Sequence, residues 1–110
     1  MADEKEETIP SLPVWPMVIT LRKAVPGGDG IDTNELKFRE PTTADIERVG
    51  NPVTLDMMGG DIPKIMYNDR AMVQMMSVLA TVPPSTIRAM NTRDYENAKL
   101  RLTSFFMPEW

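Results

Sequence analysis

Cysteine and histidine are both absent from this 110-residue chain. With them go disulfides, a thiolate nucleophile, cysteine metal sites, the commonest general base and the commonest transition-metal ligand. Carboxylate and lysine chemistry remain, but the pairs that usually activate a nucleophile do not, so a non-enzymatic role without a cofactor is expected. A concentrated basic face is also lacking. The net charge is −4, of which Asp3, Glu4, Glu6 and Glu7 against Lys5 place −3 in the first ten residues. The remainder is nearly neutral, which argues against a nucleic-acid partner. Nor is there a membrane span. The longest uncharged run, Ala71 to Ile87, is broken by Gln74, Ser77, Thr81 and Pro83-Pro84 and falls short of the ~20 apolar residues a bilayer needs. The acidic start has none of the basic-then-apolar pattern of a secretory signal.

The length suits one domain. Residues 1–14, acidic and then broken by Pro10 and Pro13, are expected to be a disordered tail ahead of a single domain over 15–110. From Trp15 the pattern alternates: Trp15, Met17, Ile19 and Leu21 fall on one side, with Pro16, Val18, Thr20 and Arg22 on the other. Pro26-Gly27-Gly28-Asp29-Gly30 signals a turn. A second strand from Ile31 to Arg39 directs Leu36 and Phe38 inward, completing a β-hairpin over 15–39. A phosphate-binding loop is not indicated, because the glycines lack the lysine and following helix such loops use. The basic residues Arg22, Lys23, Lys37 and Arg39 are mixed with Glu35 and Glu40, which fits protection of a strand edge by charge.

Helices are expected at about 43–49, 62–82 and 92–106. Thr42 caps the first, with Asp45 three residues on as an acidic form of the capping box, and Gly50 and Asn51-Pro52 end it. Val53 to Gly60 fits either a helical turn or a short strand, with Gly59-Gly60 as a hinge. Ile62 to Val82 reads as the main helix: Pro63 suits a first turn, Asp61 a cap, and Pro83-Pro84 a stop. Ser85 to Met90 fits one further turn. Asn91 or Thr92 caps the last helix, whose Tyr95, Ala98, Leu102, Phe105 and Phe106 share a face. The fold class is therefore α+β, an N-terminal β-hairpin followed by three to four α-helices, mainly helical.

In the main helix Met72, Val73, Met75, Met76, Val78, Leu79, Ala80 and Val82 cover an arc of roughly 220° at about 100° per residue, wider than one core contact needs. Ten methionines in the chain add adaptable, polarizable side chains. Two readings stand: a small domain wraps this helix on both sides, or one side meets a partner. On the second reading Met57, Met58, Met72, Met75, Met76 and Leu79 form the contact surface. Asp56, Asp61 and Asp69 show no metal-ligand spacing, so capping and solvation are their expected roles.

Val18-Ile19-Thr20-Leu21, the glycine turn, the stretch Glu35-Leu36-Lys37-Phe38-Arg39-Glu40-Pro41-Thr42-Thr43-Ala44-Asp45-Ile46 and the helix Asp94 to Phe105-Phe106 together resemble the small tail assembly chaperones of contractile-tailed phages, the group found in Mu-like and P2-like phages. The match is densest from Leu36 to Ile46 and extends as a layout over roughly 17–107. The resemblance implies a non-enzymatic assembly factor of the bacterial host cytoplasm that binds the apolar, helical tape-measure protein. Such a factor keeps its client soluble until tail-tube subunits replace it, and is absent from the mature virion. It further implies, in many members, a longer form made by ribosomal frameshifting, and Phe105-Phe106 is a pair that a run of uridines of the kind slippery sites use can encode. Self-association into a homo-oligomer is compatible with an exposed methionine face. The alternatives are a structural tail or baseplate subunit retained in the virion, and a regulatory protein-binding module that uses the acidic arm.

Overall fold

The computed structural model describes residues 14–56, 58 and 62–106. Its elements run β1 (Met17–Pro26), β2 (Asp32–Phe38), α1 (Thr43–Val49), β3 (Val53–Asp56), β4 (Lys64–Tyr67), α2 (Asp69–Ala80), α3 (Pro84–Arg88) and α4 (Thr92–Phe106). This is the expected α+β arrangement of an N-terminal hairpin and four helices, joined by a second two-stranded antiparallel sheet, β3–β4. The expected tail falls outside the described residues up to Pro13, as do Met57, the Gly59-Gly60 hinge, Asp61 and Trp110.

The hairpin pairs Met17 with Phe38, Ile19 with Leu36 and Thr20 with Glu35. Alternation buries Met17, Ile19, Leu21, Leu36 and Phe38 on one face and turns Thr20, Glu35 and Lys37 to solvent. Gly30 carries the turn with φ 84°, and at Gly27 a Cβ would stand 2.9 Å from the Ile31 carbonyl oxygen. The ladder slips between Thr20 and Val25, where residues Leu21 to Ala24 of β1 face Asn34 alone. This bulge releases two backbone donors: the N–H groups of Arg22 and Lys23 both donate to Asp94 Oδ2, at 2.9 and 3.2 Å. Asp94 is buried in the first turn of α4, so one carboxylate complements the helix dipole and fastens the helix to the strand.

Beyond β2, the Arg39 N–H donates to the Leu79 carbonyl at 3.0 Å and the Arg39 guanidinium forks onto Asp45 at 2.8 and 2.9 Å. Asp45 Oδ2 also accepts from the Thr42 N–H at 2.8 Å, while the Thr42 side chain accepts from the Asp45 N–H. The capping box is thus complete, and α1 ends as expected at Gly50, φ 98°. The Arg39 hydrogen bond, reinforced by those from Thr42, outweighs burial and holds the Asp45 carboxyl far below the usual carboxylate range.

The helix expected over Ile62 to Val82 is shorter at its start: it begins only at Asp69. Pro63 leads into β4 instead of occupying a first helical turn. Asn68 is the cap, its side chain accepting from the Ala71 N–H at 3.1 Å. Ile65, Met66 and Tyr67 pair with Leu55, Thr54 and Val53, and the Asn68 N–H prolongs the ladder to the Pro52 carbonyl at 2.9 Å. A strand partner on one side and a capping asparagine on the other together override the helical reading. At the far end Thr81 closes α2 in the left-handed region, φ 57° and ψ 47°, with the Val82 N–H reaching the Ser77 carbonyl at 3.1 Å. Asn91 caps α4, accepting from the Arg93 and Asp94 N–H groups at 2.7 and 3.3 Å.

The helices share the inner face of the hairpin, α2 against β2 and α3 and α4 against β1, around one continuous apolar core. Phe105 stacks edge-on between Trp15 and Phe106, at 5.6 and 5.2 Å between ring centroids, clamping the end of α4 to the start of β1.

Asp45 has a lower pKa folded than unfolded, so its stabilisation is complete above the ordinary carboxylate value of about 4 and declines as pH falls below it. Asp45→Asn is expected to lose about 1–3 kcal/mol at pH 7 and to flatten the acid limb of a plot of urea midpoint against pH. A midpoint unchanged at neutral pH would remove Asp45 from this role.

Candidate functional site

The methionine-rich centre of the α2 arc belongs to the interior, while Val73, Val78, Ala80 and Val82 at its margins are half-buried. Met72, Met75 and Met76 are 0% exposed and Leu79 1%, covered by β2, α1 and α3. The expectation that these four side chains form a partner surface is therefore corrected: the chain wraps the helix itself, and the flexible thioethers fill gaps between a strand and short helices. Of the remaining candidates, Met57 lies outside the described residues and Met58 is 93% exposed.

Met58 stands beside a different apolar surface. Ile62 is 83% exposed, Ile65 and Met66 43% each, and Tyr67 39%, so the β3–β4 ribbon shows large apolar groups to water along one strand. Ile65 and Tyr67 lie opposite Leu55 and Val53 on the face shared with buried Val53, the strand whose neighbour is α4. Met66 and Thr54 occupy the other face. Among the described residues the ribbon is a two-stranded sheet with no third strand, which leaves its outer edges open to pairing.

A polar clamp anchors the ribbon. Lys99 Nζ, whose side chain is 11% exposed, lies 4.6 Å from the Tyr67 ring centroid and 5.3 Å from that of Tyr95. It donates to Asp69 Oδ1 at 3.1 Å and pairs with Glu96 at 3.3 Å, while the Tyr95 hydroxyl donates to the same Asp69 oxygen at 2.6 Å. Burial opposes the Lys99 charge, but hydrogen bonds to Asp69 and Glu96 more than offset it and raise its pKa. The Tyr95 and Lys99 hydrogen bonds lower that of Asp69, and burial, then Asp69, raise that of Tyr95. At neutral pH the set is an ammonium, a carboxylate and a neutral phenol, a fixed clamp with no group poised to take or give a proton.

Past Tyr95 the surface continues into a cleft of about 250 Å³ between α2, α3 and the start of α4, floored by Val73, Ile87 and Met90 and rimmed by Asp69 and Arg88. A second groove, of about 850 Å³, runs between the hairpin turn and the end of α2, from Asp29 and Ile31 to Thr81 and Pro83. Asp56 is occupied locally by the Met58 N–H at 2.9 Å, and among the described residues no three acidic side chains gather as a metal site. No described helix is long and apolar enough to cross a membrane.

The ribbon, the clamp and the cleft floor are not apparent from sequence pattern alone. Ile65, Met66 and Tyr67 fit a helical period, although β-branched Ile65 and aromatic Tyr67 opposite Leu55 and Val53 are a strand signal. Tyr95 and Lys99 are one helical turn apart, but nothing local joins them to Asp69.

Met72→Ala is expected to destabilise the chain by about 2–5 kcal/mol, whereas Met58→Ala is expected to stay within about 0.5 kcal/mol. Urea unfolding of the two variants separates core from surface; equal effects would contradict the assignment.

Neither a curated protein nor a solved structure matches the chain significantly. Residues 18–107 match the family described as phage tail assembly chaperone proteins, E, or 41 or 14. That span takes in the hairpin, the Arg39–Asp45 corner, the ribbon and α4. The chain belongs to this phage tail assembly chaperone family, a non-catalytic family of tail morphogenesis.

Proposed function

We propose that the chain holds the tape-measure protein of a contractile-tailed, Mu-like or P2-like phage in soluble form in the host cytoplasm until the tail tube polymerises, and leaves before the virion is complete. The observation that carries this reading is the row of large apolar side chains on the β3–β4 ribbon, in a member of a tail assembly chaperone family. A long apolar helix needs cover that is broad, adaptable and releasable, and Ile65 on one face of the ribbon and Met66 on the other, with protruding Met58 and Ile62, supply many modest contacts in place of one deep pocket. Tail-tube protein takes over the client at polymerisation, and a frameshifted longer form of the chain shares the work.

Co-expression with the tape-measure protein should keep that client in the soluble fraction and co-purify with it, while finished particles lack the chain. The pair Ile65→Asp and Met66→Asp, both on exposed positions, should leave the chain folded by circular dichroism and return the client to the pellet. Persistence of the chain in purified particles would identify a structural tail or baseplate subunit instead. Loss of binding on deleting residues 1–12 alone would identify an acidic regulatory module.

A further inference from the structure

We infer that the outer edge of β4 pairs with the same edge of a second copy of this chain, antiparallel about a two-fold axis at Met66, joining two ribbons into one four-stranded sheet. The inference concerns the chain alone and does not depend on the proposed client.

The direction of the backbone hydrogen bonds carries it. The Asn68 N–H donates to the Pro52 carbonyl, which sets the phase of the β3–β4 ladder: Thr54 with Met66 and Asp56 with Lys64 are the pairs that exchange bonds within it. The N–H and carbonyl groups of Ile65 and Tyr67 therefore point away from β3. Elsewhere in the fold, strand groups that leave their ladder are taken up by the chain itself. Arg22 and Lys23 donate to Asp94 and Arg39 donates to the Leu79 carbonyl. The Thr33 hydroxyl accepts from the Glu35 N–H at 3.2 Å and donates to the Glu35 carbonyl at 3.0 Å. On β3 the Val53 N–H donates to Asn51 at 3.1 Å. Among the described residues no such partner serves Ile65 or Tyr67, and all four residues of β4 are exposed.

The form of that edge selects its occupant. A helix has its backbone groups paired internally, so an extended segment is what completes the edge. Outward groups flank Met66 on both sides. The edge stops at Pro63, which has no N–H, and at Asn68, whose N–H and carbonyl are bonded to Pro52 and Met72. Such an edge is its own complement. Turned about Met66, Ile65 of each copy exchanges both bonds with Tyr67 of the other, which uses every outward donor. The single charge on β4, Lys64, then faces Asn68 of the other copy. Its twin lies ~13 Å away along the strands, beyond the ~8 Å screening length of physiological salt. Ile65 and Tyr67 of both copies share one face of the joined sheet, and the two Met66 side chains meet on the other. Strands this short bury less than the ~1,600 Å² of a standard interface, so the pair is weak and reversible.

A chain without cysteine makes cross-linking a direct test. Residues facing each other at a non-hydrogen-bonded position have Cα atoms ~4.5 Å apart, within disulfide reach, so Met66→Cys should oxidise to a covalent dimer of the full chain. Thr54→Cys, also exposed and on the same face of the inner strand, should not. Sedimentation velocity of the unaltered chain should show dimer rising with concentration. Ile65→Pro deletes an outward donor and none in the ladder; it should weaken the dimer about 10- to 100-fold through two lost hydrogen bonds, with circular dichroism unchanged. Should that variant fail to fold, the cross-linking pair decides alone. Equal cross-linking of the two cysteine variants, or none in either, would overturn the pairing, as would a dimer indifferent to Ile65→Pro. A chain monomeric at every concentration, whose capture of the tape-measure protein Ile65→Pro abolishes, would assign the edge to an extended client segment and overturn the second copy as its occupant.

Discussion

Met72, Met75, Met76 and Leu79 form the fully buried stripe of α2, about 100° wide at about 100° per residue, and the fold is the arrangement that encloses that stripe. β2 packs on one flank, while α1 and α3 pack elsewhere on α2, each too short to persist in water without that contact. The connections enforce the enclosure. Arg39 leaves β2 with its N–H on the Leu79 carbonyl and its guanidinium on Asp45, which locks the strand, the start of α1 and the end of α2 at one corner. Thr86 of α3 donates its hydroxyl to the Pro26 carbonyl at 2.7 Å, returning the next segment to β1. Asp94 then fixes α4 through the bulge donors. These long-range hydrogen bonds, each satisfying groups far apart in the fold, keep a small core in register.

This enclosure decides where a partner can bind. Once the methionine face is interior, the large apolar groups left in water concentrate on the ribbon between β3 and β4, a segment tied to the body by Tyr67 over Lys99 and by Asn68 on Pro52. On the proposed function, stability and recognition are thereby divided between separate parts of the chain. The Leu36 to Ile46 stretch, the densest point of family resemblance, serves stability, because its Arg39, Thr42 and Asp45 face one another and the end of α2. A motif that identifies the family can therefore be a structural corner with no client contact.

Much of this is legible in the sequence. Alternation from Met17 to Leu21 and the glycine turn mark the hairpin, Thr42 with Asp45 marks a capping box, and Asn91 marks the start of α4. The rest is decided by distant groups. The slip in β1 exists because Asp94, more than seventy positions later, accepts the stranded donors. Residues 64–67 form a strand because Val53 to Asp56 offer a partner and Asn68 a better cap than the expected start. Methionine abundance is the misleading signal. The same flexibility that suits a promiscuous surface also suits a core assembled from short, irregular pieces, and local pattern does not distinguish the two.

Hydrogen–deuterium exchange of the chain, alone and with the proposed tape-measure client, tests the division most directly. Amides of α2 should exchange slowly in both samples, and protection on binding should appear at residues 62–67 and around Tyr95. Protection gained along Met72 to Leu79 with the ribbon unchanged would show that the core opens to take the client, and would contradict a division between a closed core and a binding ribbon.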